Sequence, residues 1–312
     1  MLKDFFSKLL GKPVTIPAEP EVAEVVTAPL SPELMARAGD TRPTRAKTAA
    51  IPALKLAPAQ YVVGIGQSVG RQRDKNEDSL FTFTGNLNSS TNQTPFGLYI
   101  VADGMGGHQH GEVASDVAVR TVSEYVLRKL YLPMLIPNAN GPQESLQEIM
   151  HDSLVEAHLN ILKKTPEGGT TITAALVFGK QLTIAHVGDS RAYIMDQLGK
   201  FKALTRDHTL VKRLEEMGQL SAAEASIHPQ RSVLYRALGQ GEPFEAEIQT
   251  HRLPSSGFLL VCSDGLWGVL PENQIVEIIM NGSSPHQICQ DLVAAANDGG
   301  GPDNSTAILV RV

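Results

Sequence analysis

The chain has 312 residues, 42% of them apolar and 19% charged, with a net charge of −6. This is the composition of a soluble globular protein long enough to bury a full core, and no run approaches the roughly 18 apolar residues that a membrane span needs. The acidic balance argues against nucleic acid as the main ligand and suits a body that binds cations. Two cysteines, Cys262 and Cys289, make no disulfide framework, so a reducing cytoplasm is the expected compartment.

Residues 1–58 differ from the rest. They hold 8 Lys/Arg and 6 Asp/Glu, a net of +2, which leaves −8 for the remainder. Eight of the 19 prolines and ten alanines lie here, with no aromatic beyond Phe5 and Phe6. Such a composition cannot build a core and predicts a flexible, partly extended arm. Within it Leu2, Phe5, Phe6, Leu9 and Leu10 fall on one face of a short helix over residues 2–10, flanked by Lys3 and Lys8. That helix reads either as a frayed tail or as a weak anchor to a membrane surface or a partner, which adds peripheral membrane contact to the expected location. The segment lacks the apolar region and cleavage site of a signal peptide. The expected working state is a monomer.

From Tyr61 the pattern becomes regular. Tyr61–Ile65 and Phe96–Ala102 predict strands, and Glu112–Leu130 and Glu144–Lys163 predict helices, the second from the 3.6-residue period of Leu146, Ile149, Met150, Leu154, Ala157 and Ile161. Prolines 133, 137 and 142 break the connection between them. Thr170–Phe178, Leu182–Val187 and Arg191–Met195 predict three strands joined by turns short enough to make them antiparallel neighbours. Asp207–Met217 opens as a short helix a segment, reaching to about Glu245, with few strand signals. Phe258–Ser263 and Thr306–Val312 predict strands, and Pro271–Met280 and Pro285–Asn297 predict helices. Clustered strands and paired helices make an α+β plan, antiparallel sheets covered by helices.

Four carboxylates share one context. Asp103 follows Tyr99-Ile100-Val101-Ala102, Asp189 follows Ile184-Ala185-His186-Val187-Gly188, Asp264 follows Leu259-Leu260-Val261-Cys262-Ser263, and Asp303 precedes Asn304-Ser305-Thr306-Ala307-Ile308-Leu309. A fifth spot, Glu77-Asp78, precedes Ser79-Leu80-Phe81. Strand ends on one sheet edge can converge, and carboxylates that do so repel by roughly 4 kcal/mol per pair at 4 Å and an effective dielectric of 20. A divalent cation cancels that cost; protonation of one acid is the other escape. Oxygen donors without clustered Cys or His select Mg²⁺, Mn²⁺ or Ca²⁺ over Zn²⁺. Singly, each acid also fits an ordinary surface turn; together, with Gly104, Gly188 and Gly265 beside them, they point to a cation site.

Other motifs fit less well. Gly104-Met105-Gly106 begins a dinucleotide pattern, but Gln109 stands at its third glycine, and no Gly-Lys-Ser/Thr occurs. Gly66-Gln67-Ser68-Val69-Gly70 has the spelling of a nucleophile elbow, yet the charged run Arg71–Asp78 follows where an apolar helix is required. His108-Gln109-His110 lacks a third zinc ligand at useful spacing.

Seven stretches, Arg73-Asp74-Lys75-Asn76-Glu77-Asp78, Val101-Ala102-Asp103-Gly104-Met105-Gly106-Gly107-His108, Gly169-Thr170-Thr171, Val187-Gly188-Asp189-Ser190-Arg191, Leu204-Thr205-Arg206-Asp207-His208, Ser263-Asp264-Gly265-Leu266-Trp267 and Asp303-Asn304, occur in this order. In that respect the chain resembles the PP2C-type (PPM) metal-dependent serine/threonine phosphatases, and Met105 resembles the spelling of their bacterial branch. The resemblance covers about residues 59–312 and leaves out residues 1–58. It implies a four-layer α/β/β/α sandwich of two antiparallel sheets flanked by helix pairs, with a flap at about 207–245.

The resemblance also implies roles. Asp103 bridges two Mn²⁺ or Mg²⁺ ions, with the Gly104 carbonyl on one and Asp264 and Asp303 on the other. Glu77 and Asp78 act mainly through metal-bound waters, Asp189 with Asp264 holds a third, weaker metal, and Arg73 grips the phosphate. Thr170, Thr171, Ser190 and Trp267 are structural. Some relatives carry His directly after Asp-Gly as the suspected general acid; Met105 stands there, leaving His108 or a metal-bound water to protonate the leaving group. The implied activity is hydrolysis of phosphoserine and phosphothreonine on proteins by a metal-bridging water, opposing a bacterial Ser/Thr kinase. The alternative is a catalytically inactive scaffold that binds phosphoproteins.

Overall fold

The computed structural model describes residues 61–88, 93–106, 110–136, 144–241 and 244–312. The arm of residues 1–58, with the helix expected at 2–10, lies outside the described residues.

The chain enters through β1 (Val62–Ser68), then forms β2 (Asp78–Asn88) and β3 (Gln93–Met105), which pair antiparallel. Phe96 and Leu98 to Ala102 are fully buried, which is why this strand reads as an unbroken apolar run: both its faces are covered. It continues past the expected end at Ala102, so Asp103 and Gly104 are strand residues.

Helix α1 (His110–Val126) passes into a π-helical turn, Leu127–Tyr131, and a last short turn, Leu132–Met134. The single helix expected to Leu130 is therefore α-helical only to Val126. Pro133 has no N–H for the carbonyl four residues back, and Leu132 N–H reaches Leu127 O instead. Helix α2 (Leu146–Lys164) starts on a capping box in which Ser145 Oγ accepts from Glu148 N (3.2 Å) and Glu148 Oε2 accepts from Ser145 N (2.7 Å).

After the two-residue β4 (Gly169–Thr170), β5 (Ile172–Phe178) and β6 (Gln181–Val187) form a tight hairpin. β7 (Arg191–Asp196) and the short β8 (Phe201–Ala203) follow. One expectation fails here. β6 and β7 are not neighbours: they belong to different sheets, and Gly188-Asp189-Ser190 carries the chain from one to the other. Gly188 makes the crossing with φ of 108° and its Cα against Thr171, where a Cβ would lie 2.5 Å from the Thr171 side chain.

The segment from residue 207 to 245 holds α3 (Leu210–Glu216) and α4 (Ala222–Ile227). β9 (Glu247–Arg252), β10 (Gly257–Cys262), the one-turn α5 (Asp264–Trp267), α6 (Glu272–Asn281), α7 (Pro285–Asp298) and β11 (Ser305–Arg311) complete the chain. β8, β9, α4 and α5 were not expected. β8 and α5 are too short to show a period, and β9 is a polar edge strand, paired among the described residues only to β6.

The sheets have the orders β1-β11-β10-β7-β8 and β2-β3-β5-β6-β9, with β4 pairing off β3. Between them Tyr99, Val101 and Ile184 meet Leu259, Val261, Ile308 and Val310. Outside, Phe96, Leu98 and Ile100 pack on Val122 of α1 and Leu154 of α2, while Leu260 and Leu309 pack on Ile275 of α6 and Leu292 of α7. Each buried aliphatic side chain contributes roughly 1.5–3 kcal/mol. The result is the expected α+β sandwich of four layers, α/β/β/α.

Candidate metal and catalytic site

Strand alternation delivers the acids. Tyr99 and Val101 face the opposite sheet, and Asp103 has the same parity. Across the ladder Asp78 is its direct partner. From the other sheet Ser263 and Thr306 continue the inner rows of β10 and β11, and both hydroxyls donate to Asp78 Oδ2, at 2.7 and 2.6 Å. Asp264 caps the end of β10 as the first residue of α5, and Asp303 precedes β11. Asp189 sits in the sheet-crossing turn. The inner layer is thus apolar along most of its length and acidic at one edge.

The electrostatics follow from that crowding. Burial, then Asp78, Asp264 and Asp189, push Asp103 well above the usual carboxylate range. It lies within hydrogen-bonding reach of Asp264, which burial and Asp303 also raise. Burial pushes Asp78 up to about 7 against the pull of its two hydroxyl donors. Asp189 is raised well above its ordinary value by burial and then by Asp264.

Two oxygens, Asp78 Oδ1 and Asp264 Oδ1, are buried without a hydrogen-bond partner, a cost of about 1–3 kcal/mol each, and more if charged. Excess negative charge with orphaned acceptors is what a cation satisfies, so these residues fit a hard divalent ion. Among the described residues no three His, Cys, Asp or Glu side chains form a ready cage. The donors are spread, which suits ions that keep several waters.

The other expected residues also gather here. Gly104 is glycine because three backbones meet: a Cβ would lie 2.2 Å from Gly111 O and 2.7 Å from Glu77 O. Its N–H donates to Glu77 O at 3.1 Å, which ties the Glu77 turn to β3. Arg73 Nη2 donates to Asp303 Oδ2 at 2.7 Å. The expected phosphate ligand thus holds a carboxylate expected to hold metal. His108 lies outside the described residues. His110 Nδ1 is 3.1 Å from Thr165 Oγ1, and Ser68 Oγ accepts from Asn297 Nδ2 at 3.0 Å.

The residues expected to be structural make specific hydrogen bonds. Thr171 Oγ1 accepts from Asp103 N–H at 3.1 Å and lies 2.5 Å from Ser190 Oγ. Thr170 Oγ1 donates to Asp103 O at 2.8 Å. Trp267 Nε1 donates to Asp189 O at 2.9 Å. Arg191, half of an ion pair with Asp207 through bonds of 2.8 and 2.6 Å, lies 3.4 Å over the Trp267 ring. Sequence reasoning gave no role to Arg191, Asp207 or Asn304. Asn304 Oδ1 accepts from Glu77 N (2.8 Å), and its Nδ2 donates to Val69 O and Lys75 O (2.8 Å each).

A cleft of about 740 Å³ opens beside the acids. Asp189, Asp264 and Asp303 line one side, and Thr209, Lys212, Ala225 and Arg231, on and around α3 and α4, line the other. No helix among the described residues is long and apolar enough to cross a membrane.

A two-sheet sandwich with crowded carboxylates and an arginine at one edge fits the metal-dependent phosphatase class. The chain belongs to the protein phosphatase 2C family, whose model matches residues 64–305. It is 35% identical over 246 residues to the serine/threonine phosphatase stp of Listeria monocytogenes, covering 78% of this chain and 92% of that one. The solved serine/threonine phosphatase of S. agalactiae superposes with a TM-score of 0.67 at 32% identity, covering 81% of this chain and 99% of that one. The catalytic domain of the serine/threonine protein phosphatase PstP in complex with two manganese ions superposes with a TM-score of 0.63 at 26% identity, covering 81% and 98%. The chain is a serine/threonine protein phosphatase.

Proposed function

We propose that this phosphatase hydrolyses phosphoserine and phosphothreonine on proteins with Mn²⁺ or Mg²⁺ in the site, and that it opposes a Ser/Thr kinase. The observation that carries the reading is the crowding of Asp78 and Asp189, both buried, with the partly buried Asp103 and Asp264, and with two oxygens left without partners. The manganese of the PstP complex supports the choice of metal.

Asp103, the Gly104 carbonyl, Asp264 and Asp303 are assigned to two cations, and Asp189 with Asp264 to a third. Glu77 and Asp78 are assigned to act mainly through waters on those cations. When bound, the cations supply a water acidic enough to attack at neutral pH and neutralise the phosphoryl oxygens.

The chain's own groups do the rest. Arg73, half-exposed beside Asp303, exchanges that carboxylate for phosphate oxygens, which a guanidinium fork matches. His108 or a water protonates the leaving alkoxide. No protein nucleophile is needed: Cys262 and Cys289 are buried and burial pushes both thiols up to about 12. The cleft beside the acids receives the polypeptide around the phosphorylated residue. The apolar face of Leu2–Leu10 is assigned to docking on a membrane surface or a partner.

The test is turnover of a phosphothreonine peptide by purified protein. Release of phosphate with Mn²⁺ and its loss in EDTA are expected. No turnover, or full turnover in EDTA, overturns the reading.

A further inference from the structure

We infer that Asn304 is a positioning residue whose side chain fixes the Arg73 loop relative to Asp303 and so sets where phosphate is gripped. The inference rests on Arg73 as the phosphate ligand. The segment between β1 and β2 has no regular structure from Val69 to Glu77, and it must be held from outside. Asn304 is 5% exposed and holds it at three points. Both N–H bonds of its amide are spent, on Val69 O and Lys75 O, and its oxygen takes Glu77 N–H, all at 2.8 Å. These anchors bracket Arg73 on both sides.

Asn304 holds the other half of the pair as well. Its own backbone N–H donates to Asp303 Oδ1 at 2.9 Å, while Arg73 takes Asp303 Oδ2. Its carbonyl oxygen lies against Gly265, where a Cβ would be only 1.9 Å away, so the residue after Asp264 is packed on the same point. One residue therefore registers the arginine loop, through its side chain, against two acids assigned to metal, which its backbone contacts directly or through Gly265.

The chemistry of the amide separates two effects. Asn304→Asp keeps an acceptor for Glu77 N–H but turns an anionic oxygen toward the Val69 and Lys75 carbonyls. The Val69 and Lys75 anchors are released, while the bonds of Arg71 and Gln72 N–H to Gly301 O, the Glu77 anchor and the Asp303 contact stay. Phosphate binding then weakens more than chemistry or metal binding.

The experiment uses the full chain with Mn²⁺ and a phosphothreonine peptide. For Asn304→Asp, KM and the inhibition constant of inorganic phosphate are expected to rise about tenfold, with kcat and the Mn²⁺ affinity from calorimetry within about threefold of the parent. In an Arg73→Ala background the same change is expected to move KM less than about twofold, because its effect runs through Arg73. A fall in kcat at unchanged KM, a parallel loss of Mn²⁺ affinity, or an equal KM rise on top of Arg73→Ala overturns the proposal. An unchanged KM in Arg73→Ala itself overturns the phosphate role of Arg73, and this inference with it. Asn304→Ser, uncharged and smaller, carries the same comparison if the carboxylate variant does not fold. Failure of both to fold assigns Asn304 to stability alone and overturns the positioning role.

Discussion

Asp78, buried, and Asp103, partly buried, face each other directly across the β2–β3 ladder, on the inner side of an otherwise apolar sandwich. A fold that depended on its own stability alone would not place them so. Their arrangement makes the metal-free protein carry a cost that a cation removes.

That cost has a pH signature. Asp78 is pushed up to about 7, and Asp103, Asp189 and Asp264 are also raised. The folded state therefore holds protons that the unfolded chain releases near pH 4, so stability falls as pH rises through the raised values. In EDTA the unfolding midpoint is expected to be lower at about pH 8 than at about pH 6. Saturating Mn²⁺ is expected to raise the midpoint more at the higher pH. Differential scanning fluorimetry checks both, and an equal effect of Mn²⁺ at the two values contradicts them.

Asp264→Asn separates function from stability. Activity is expected to fall by about a thousandfold or more, since a metal assignment is lost. The metal-free variant is expected to unfold at the same or a higher temperature than the parent, because one repelling charge is gone. Near-normal rates, measured on a phosphopeptide, contradict the metal assignment of Asp264.

The Arg191–Asp207 pair packs on the Trp267 ring, whose Nε1 donates to Asp189 O. Asp207→Ala leaves a largely buried guanidinium unpaired, and a loss of about 3 kcal/mol is expected in urea titrations. Arg191→Met combined with Asp207→Leu is expected to recover most of it. Equal losses in the single and double variants would show that the pair does not act as one.

The acids and the layers were legible because an apolar run that ends in a carboxylate states both burial and an edge: Asp103 and Asp264 are of this kind. The crossing after β6 was not, since Gly188-Asp189-Ser190 has the length of a hairpin turn and only the contact with Thr171 tells otherwise. β9 was hidden by its polarity at a sheet edge. Asn304 was hidden because its partners are backbone atoms of residues far away in the chain. The role of Arg73 came through family resemblance; its pairing with Asp303 needed the fold.

His186 sets the acid limb. It is fully buried, 4.9 Å from the His208 ring, and burial and then His208 lower it to about 4. As pH falls from about 6.5 to about 4 the unfolded chain takes up a proton that the folded one refuses, a loss of up to about 3 kcal/mol. In EDTA, His186→Gln is expected to lose less stability over that window than the parent. Parallel curves in chemical denaturation at several pH values would exclude the assignment.

The most direct measurement of the central claim is Mn²⁺ binding to the full chain by calorimetry, without substrate. At least two ions per chain are expected for the parent, with the loss of at least one in Asp103→Asn and the fold retained by circular dichroism. No binding by the parent, or identical binding by the variant, contradicts the assignment of this carboxylate edge to metal.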